Sequence, residues 1–203
     1  FGSQTAALLA GGYDGSNTAE AYTYNGTSWT EVNELNTTRY YGCGIGHTGT
    51  AGLIVAGSTP SVTAANELWN GSAWTEVGDI SRPASTQSFG SAGASNTSAM
   101  IFGGEPGTTY YVYTETWDGS SWTEVNNLSA ARSLLFGCGA SNTAALAIGG
   151  YGPNPVGHRN ITELWNGSNW TEEGSTNRDM TVLAAGAGTT EATVVFGGLS
   201  ETS

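Results

Sequence analysis

ELWNGSAWTEV, residues 67–77, decides the fold, because the chain carries four versions of it. The others are YTYNGTSWTEV (22–32), ETWDGSSWTEV (115–125) and ELWNGSNWTEE (163–173). In each, two short aromatic runs flank an Asn-Gly or Asp-Gly pair. That pair between strand-like runs is the strongest short-range sign of a β-hairpin, since a type I′ turn needs positive φ at both central residues. The Trp of the Trp-Thr-Glu in each copy, Trp29, Trp74, Trp122 and Trp170, recurs at intervals of 45, 48 and 48 residues.

Outward from the hairpin, a second element occurs five times: TAALLAGG (5–12), TAGLIVAG (50–57), TSAMIFGG (97–104), TAALAIGG (143–150) and EATVVFGG (191–198). A Gly-rich run precedes each of the last four. Arg39, Arg82, Arg132 and Arg178 each follow a Trp-Thr-Glu by six to eight residues, so four of the five basic residues share one repeat position. No segment has a period of 3.6, and every strand-like run is short. A unit of 45–48 residues holding four strands is the length of one β-propeller blade.

With strands numbered from the axis outward, residues 1–38 supply strands two to four and 178–203 supply strands one and two. The segments 39–81, 82–131 and 132–177 are complete blades. The sum is 17 strands, one more than four blades use. The C-terminal first strand, near 181–188, is expected to complete the N-terminal blade. The surplus strand then joins an edge, marks a larger propeller, or reflects blades shared between two chains. Closure matters because an open blade face leaves unpaired edges and apolar surface in water.

The pattern resembles the kelch-repeat family, in which an Arg lies between blades, a Gly-Gly doublet closes strand two, and an aromatic pair ends in Trp on strands three and four. The Arg and the Trp match four times each. The doublet matches at Gly11-Gly12, Gly103-Gly104, Gly149-Gly150 and Gly197-Gly198, while the second copy has Ala56-Gly57. The first copy has Tyr24 where the others have Trp69, Trp117 and Trp165. The repeats are also similar to kelch-like regions of marine phage proteins. The resemblance implies an all-β fold, a kelch-like β-propeller of about four four-stranded antiparallel blades in one domain over residues 1–203.

Composition narrows the function. The formal charge is −12, with no Lys among the five basic residues, which argues against nucleic acid or an anionic membrane as partner. No apolar run reaches the roughly 18 residues of a membrane helix. Seven Trp and nine Tyr with only 11% charged residues argue against disorder. Cys43 and Cys138, each in Gly-Cys-Gly, read as small buried residues. A disulfide between them needs neighbouring strands.

The repeated Trp29, Trp74, Trp122 and Trp170 read as plugs between blades. The repeated Arg39, Arg82, Arg132 and Arg178 read as donors to carbonyls or an acidic group between blades, a task that suits a rigid five-donor fork. The hairpin sequons at Asn25, Asn70 and Asn166 are explained by turn chemistry, because Asp118 replaces Asn in the fourth copy. Asp14-Gly-Ser-Asn17 reads as a turn rather than a calcium loop. His47 and His158 are the only histidines, and no metal-ligand spacing occurs. Kelch-type propellers include copper-radical oxidases, whose cluster of two Tyr, two His and a Cys–Tyr crosslink has no counterpart here. Neither enzyme activity nor a cofactor is expected.

The variable places are the loops between strands two and three, on the face that also carries the between-blade linkers: YDGSNTAE (13–20), STPSVTAA (58–65), EPGTTYYVY (105–113) and YGPNPVGHRN (151–160). Loops held by a rigid scaffold are where binding concentrates. Tyr13, Tyr110, Tyr111, Tyr113, Tyr151, His158 and Arg159 gather there as candidate ligand contacts. Tyr presents a stacking face and a hydroxyl at low entropy cost. The expectation is a non-enzymatic recognition module for a glycan or protein ligand, extracellular or on a virion surface. The alternatives are a structural or self-assembling repeat propeller whose partner is a second copy of itself, and a propeller enzyme.

Overall fold

The Asn-Gly turns close as their chemistry requires. Asn70 Oδ1 accepts the backbone N–H groups of Ser72 and Ala73, both at 2.9 Å, and Asn25, Asp118 and Asn166 do the same in their copies. Gly71 follows at φ 97°, a conformation that a side chain would disfavour. Three of the turns set two Trp opposite one another, and the first sets Tyr24 opposite Trp29. Trp69 faces Trp74 with ring centroids 5.2 Å apart, and the pairs Trp117–Trp122 and Trp165–Trp170 repeat this at 5.5 and 5.4 Å.

The structure is a computed structural model that describes residues 1–81, 89–105, 107, 109–153, 157, 159–179 and 181–199. Among the described residues every regular element is a β-strand. The first antiparallel sheet holds β1 (Gly2–Ser3), β2 (Ala6–Tyr13), β3 (Asn17–Tyr24) and β4 (Trp29–Val32) in that order. The second holds β5 (Cys43–Thr48), β6 (Ala51–Val55), β7 (Asn66–Trp69) and β8 (Trp74–Val77). The third holds β9 (Phe89–Ser95), β10 (Ser98–Gly103), β11 (Thr114–Trp117) and β12 (Trp122–Val125). The fourth holds β13 (Phe136–Ser141), β14 (Ala144–Ile148), β15 (Thr162–Trp165) and β16 (Trp170–Glu172). A two-stranded sheet of β17 (Thr181–Gly188) and β18 (Thr193–Leu199) ends the series.

The sheets stack as blades, with first strands side by side: β5 against β9, β9 against β13, β13 against β17. Each junction is an apolar layer between consecutive blades. Leu8 packs with Ile54, Trp69 and Trp74; Leu53 and Val55 pack with Ile101 and Trp117; Met100 and Phe102 pack with Ala147 and Trp165. The first Trp of each pair is the deeper one. Trp69, Trp117 and Trp165 are fully buried, and their indole N–H groups donate to the carbonyls of Gly49, Asn96 and Asn142 at 2.9–3.0 Å. Burying 150–250 Å² of such a ring is worth about 4–6 kcal/mol of transfer free energy before conformational entropy is counted.

Trp74 and Trp170 plug the same junctions. Their indoles reach back to the preceding blade, donating to the Asn33 carbonyl and the Thr114 hydroxyl, both at 3.0 Å. Trp122 packs against the layer between the second and third blades. Trp29 departs from the expectation: it is 52% exposed, because among the described residues no second sheet packs on that side of the first blade.

The strand arithmetic needs correction. The N-terminal segment is not limited to strands two to four. Phe1 pairs with Leu8, donating its amino group to the Leu8 carbonyl at 3.1 Å and accepting the Leu8 N–H at 2.8 Å, and β1 continues that pairing. Phe1 thereby takes the place that Ile45 holds opposite Leu53 in the second blade. Its ring lies on Gly44, Gly46 and Gly52, which leave room for it. The described strands number 18 rather than 17, and β17 pairs with β18 instead of completing the first blade. Cys43 and Cys138, on β5 and β13, do not form a disulfide with each other, since the third blade lies between them.

Candidate functional site

The loop face is built on the repeated Arg and the Gly doublet together. Gly12 donates to the Arg39 carbonyl at 2.8 Å, and Gly104 to the Arg132 carbonyl at 2.9 Å. That approach leaves no room for a side chain: a Cβ on Gly103, at φ 67°, would stand 2.7 Å from the Arg132 carbonyl oxygen. The linker is thus pinned to the blade it leaves. Its next residue bridges to the blade it enters, Tyr40 with Ser58 and Ser133 with Tyr151. These contacts place the linkers and the strand two–three loops on one face.

The guanidinium groups point inward from this frame. Arg39 donates to the carbonyls of Ala56 and Ala65, at 3.0 and 2.7 Å, and to Glu67 Oε1 at 2.8 Å. Glu67 accepts in addition from Asn36 N, Asn36 Nδ2 and Thr37 N. Arg132 and Glu163 close to 2.9 Å with both side chains wholly buried. Burial pushes the Arg132 guanidinium down to about 10, and Glu163 opposes the shift, so the cation persists at neutral pH. Both ion pairs are closed off from solvent. Arg82 lies outside the described residues, and Arg178 is exposed on the linker before β17.

The candidate tyrosines fall into separate groups. Tyr13 meets Tyr40 at 5.8 Å between centroids, and Tyr40 meets Tyr41 at 4.4 Å. These three rings and Gly12 line a recess of about 470 Å³ at the first junction. Tyr13 and Tyr41 are 67% and 49% exposed, so two ring faces are open to a ligand. At the junction of the third and fourth blades, Tyr110 meets Tyr151 at 5.9 Å. The Tyr110 hydroxyl is raised above its ordinary value by desolvation and by the Glu105 carboxylate. Arg159 lays its guanidinium over Gly152, where a Cβ would approach Nε to 2.4 Å. Tyr111 and Tyr113 pack on each other at 5.0 Å, half-buried. The Tyr111 backbone holds the loop, donating to Gly104 O and accepting from Arg132 N. His158 lies outside the described residues.

Sequence reasoning missed Tyr40 and Tyr41. They follow Arg39 at positions held by Ser133 and Leu134 two repeats later, so the signal was divergence inside the linker rather than inside the loop. Tyr41 has φ 61° and Leu134 has φ 53°, so the left-handed backbone belongs to the linker's path and not to a binding role of Tyr41. Asp14 accepts from Ser16 N and Ser16 Oγ, both at 3.2 Å, closing an ordinary Asx turn. Among the described residues no group of three or more His, Cys, Asp or Glu side chains could hold a metal ion.

A second feature lies on the axis. The first strands line a cavity of about 520 Å³ with backbone and small side chains, among them Gly44, Ser91, Gly137 and Gly186. Gly46, Gly93 and Gly139 hold φ between 138° and 149° beside the register slips of these strands. His47, Ser91, Cys138 and Thr189 also line the cavity, beside the apolar Phe1, Ile45 and Phe136.

No family model matches the chain, and no curated protein matches it. Among solved structures, the chain is similar to that of YjhT, with a TM-score of 0.72 at 10% sequence identity, over 95% of this chain and 74% of that one. At that identity the likeness speaks for the fold alone. Together with four four-stranded antiparallel sheets stacked on their first strands, it gives the chain a β-propeller-like fold.

Proposed function

We propose that the chain is a non-enzymatic recognition module of the kelch-repeat type that binds a glycan on its loop face. The observation that supports this reading is the set of open tyrosine rings at Tyr13, Tyr40 and Tyr41, held over a recess by a pinned linker. Aromatic faces stack on the apolar side of a sugar ring, and the hydroxyls supply hydrogen bonds at its rim. The Tyr110–Tyr151 pair, with Arg159 nearby, provides a second platform. The scaffold below is rigid because the linkers are fixed by buried ion pairs, so binding orders few side chains.

The test is a broad glycan panel probed with the wild-type chain and with the pairs Tyr13→Ala/Tyr41→Ala and Tyr110→Ala/Tyr151→Ala. Selective binding lost in the first pair assigns the site to the first junction. Loss only in the second pair moves it to the other platform. A folded chain that binds no glycan, or binding that survives both pairs, rejects the proposal, and protein ligands become the next class to screen.

A further inference from the structure

Three Asn-Gly pairs stand at hairpin tips, at Asn25, Asn70 and Asn166, and no other Asn in the chain precedes a Gly. All three pairs are exposed. Each Asn Oδ1 accepts the N–H groups two and three residues on, at 2.9–3.0 Å. The Gly that follows has φ between 92° and 97° and no side chain to shield its nitrogen. That nitrogen and the Asn Cγ are the two atoms that close a succinimide ring. The fourth tip carries Asp118 in the same turn, its Oδ1 accepting Ser120 N, Ser121 N and Ser120 Oγ at 2.8–2.9 Å.

Two of the tips are tied to the blade before them. Asn33, which follows β4, donates its side-chain amide to the Ser72 carbonyl at 2.7 Å. Asn126, which follows β12, donates to the Ser168 carbonyl at 3.0 Å and to Asn169 Oδ1 at 2.8 Å. Gly78 holds that position after β8 and has no side chain to reach the next tip, the one that bears Asp118. The tip without a clamp from the blade before it thus has no amide to convert. Among the described residues no side chain of another blade donates to the tip at Asn25. These tips lie at the opposite end of strand three from the tyrosine loops, so nothing here depends on the proposed ligand.

We propose that Asn25, Asn70 and Asn166 deamidate in the folded chain, and that the Asn33 and Asn126 clamps slow the last two. The Gly nitrogen gives its proton to a base in water and bonds to Asn Cγ. Negative charge then develops on Oδ1, which already accepts two N–H groups, and donors placed where charge develops lower the barrier. The bond from Cγ to the side-chain nitrogen breaks and ammonia leaves. Water opens the succinimide at either carbonyl, giving aspartate or isoaspartate. Aspartate keeps the turn, as Asp118 shows, and at Asn70 it also keeps Ser72 Oγ, which donates to Oδ1 at 3.0 Å. Isoaspartate runs the main chain through the former side-chain carbon and lengthens the loop that sets Trp69 opposite Trp74. Ring closure turns the Asn-Gly peptide out of the loop's path, and a bond on the Ser72 or Ser168 carbonyl resists that movement.

The experiment incubates the full chain in mildly alkaline buffer below its melting temperature, beside a sample unfolded in urea, and maps both over time by peptide mass spectrometry. In the folded chain, conversion is expected at Asn25, Asn70 and Asn166 ahead of every other Asn, with Asn25 fastest. Asn33→Ala should speed Asn70 by about two- to tenfold, the weight of one hydrogen bond, and leave Asn166 unchanged, while Asn126→Ala should do the reverse. Asn70→Asp, the product made directly, should melt within about 2 °C of the parent. A folded chain that keeps all three Asn intact while the urea sample converts them overturns the proposal. A rate at Asn70 indifferent to Asn33→Ala removes the clamp. So does an equal rise at Asn70 and Asn166 in either variant, because the change then reports global unfolding. Marked destabilisation by Asn70→Asp overturns the claim that the turn tolerates its product.

Discussion

Replacing Arg39 by Met tests the account of what holds consecutive blades together. The guanidinium is 1% exposed, pairs with Glu67 at 2.8 Å, and satisfies the carbonyls of Ala56 and Ala65. Removing it leaves a carboxylate that is itself 1% exposed, still held by Asn36 and Thr37 but without its counter-charge. Breaking a buried pair from one side costs about 3–5 kcal/mol, which for a chain of this size lowers the melting temperature by on the order of 6–20 °C. Glu67→Gln removes the stranded charge while keeping an acceptor for Asn36 N. The double variant should therefore recover part of the loss, with a coupling of about 1–3 kcal/mol in a cycle measured by thermal or urea unfolding. A fall of less than about 2 °C for Arg39→Met, or single costs that simply add, would refute the view that this pair anchors the linker.

The remaining predictions concern single features of the repeat. Gly103→Ala should destabilise by about 2 kcal/mol or more, since it combines a left-handed backbone with a 2.7 Å approach to the Arg132 carbonyl. Ala56→Gly, at the same repeat position and φ 55°, should stay within about 1 kcal/mol of wild type by urea titration; the reverse order would discredit the contact argument. Trp117→Phe, which strands the Asn96 carbonyl, should cost about 1–3 kcal/mol, whereas Trp29→Phe on the open side should cost less than about 0.5, and equal costs would contradict the burial pattern. Asp118 is held down to about 2 by hydrogen bonds from Ser121 N, then Ser120 Oγ and Ser120 N. A lowered carboxylate stabilises the fold above its unfolded value of 3.8 and loses that contribution as pH falls towards about 2. Asp118→Asn should flatten the melting curve's acid limb across that interval and leave it unchanged near neutrality.

Much of the candidate site was half legible. Tyr110, Tyr151 and Arg159 were found from loop divergence, because a loop free of framework duties shows its freedom in sequence. Their division from Tyr13 into two junctions was not legible, since it depends on which loops the blade rotation brings together. Tyr40 and Tyr41 were hidden because they sit in a linker that otherwise reads as framework. Arg178 shared the repeat position of Arg39 but not its environment: Arg39 is buried against Glu67, while Arg178 is exposed beside a two-stranded sheet among the described residues.

The local chemistry of the repeat belongs to the sequence alone. Asn-Gly turns, short strand-like runs and a 45–48-residue period dictate hairpins, four-stranded units and their antiparallel order, because turn geometry and strand pairing act over neighbouring residues. The partners of those units were decided by tertiary structure. Matching Trp-Thr-Glu strands differ in burial: Trp74 is buried against the blade before it, while Trp29, on the first blade, is 52% exposed. Identical Arg linkers are buried ions at Arg39 and Arg132 and an open cation at Arg178. Burial and ion pairing depend on what stands opposite a residue, and in a repeat chain only the assembled stack determines which copies have a neighbour.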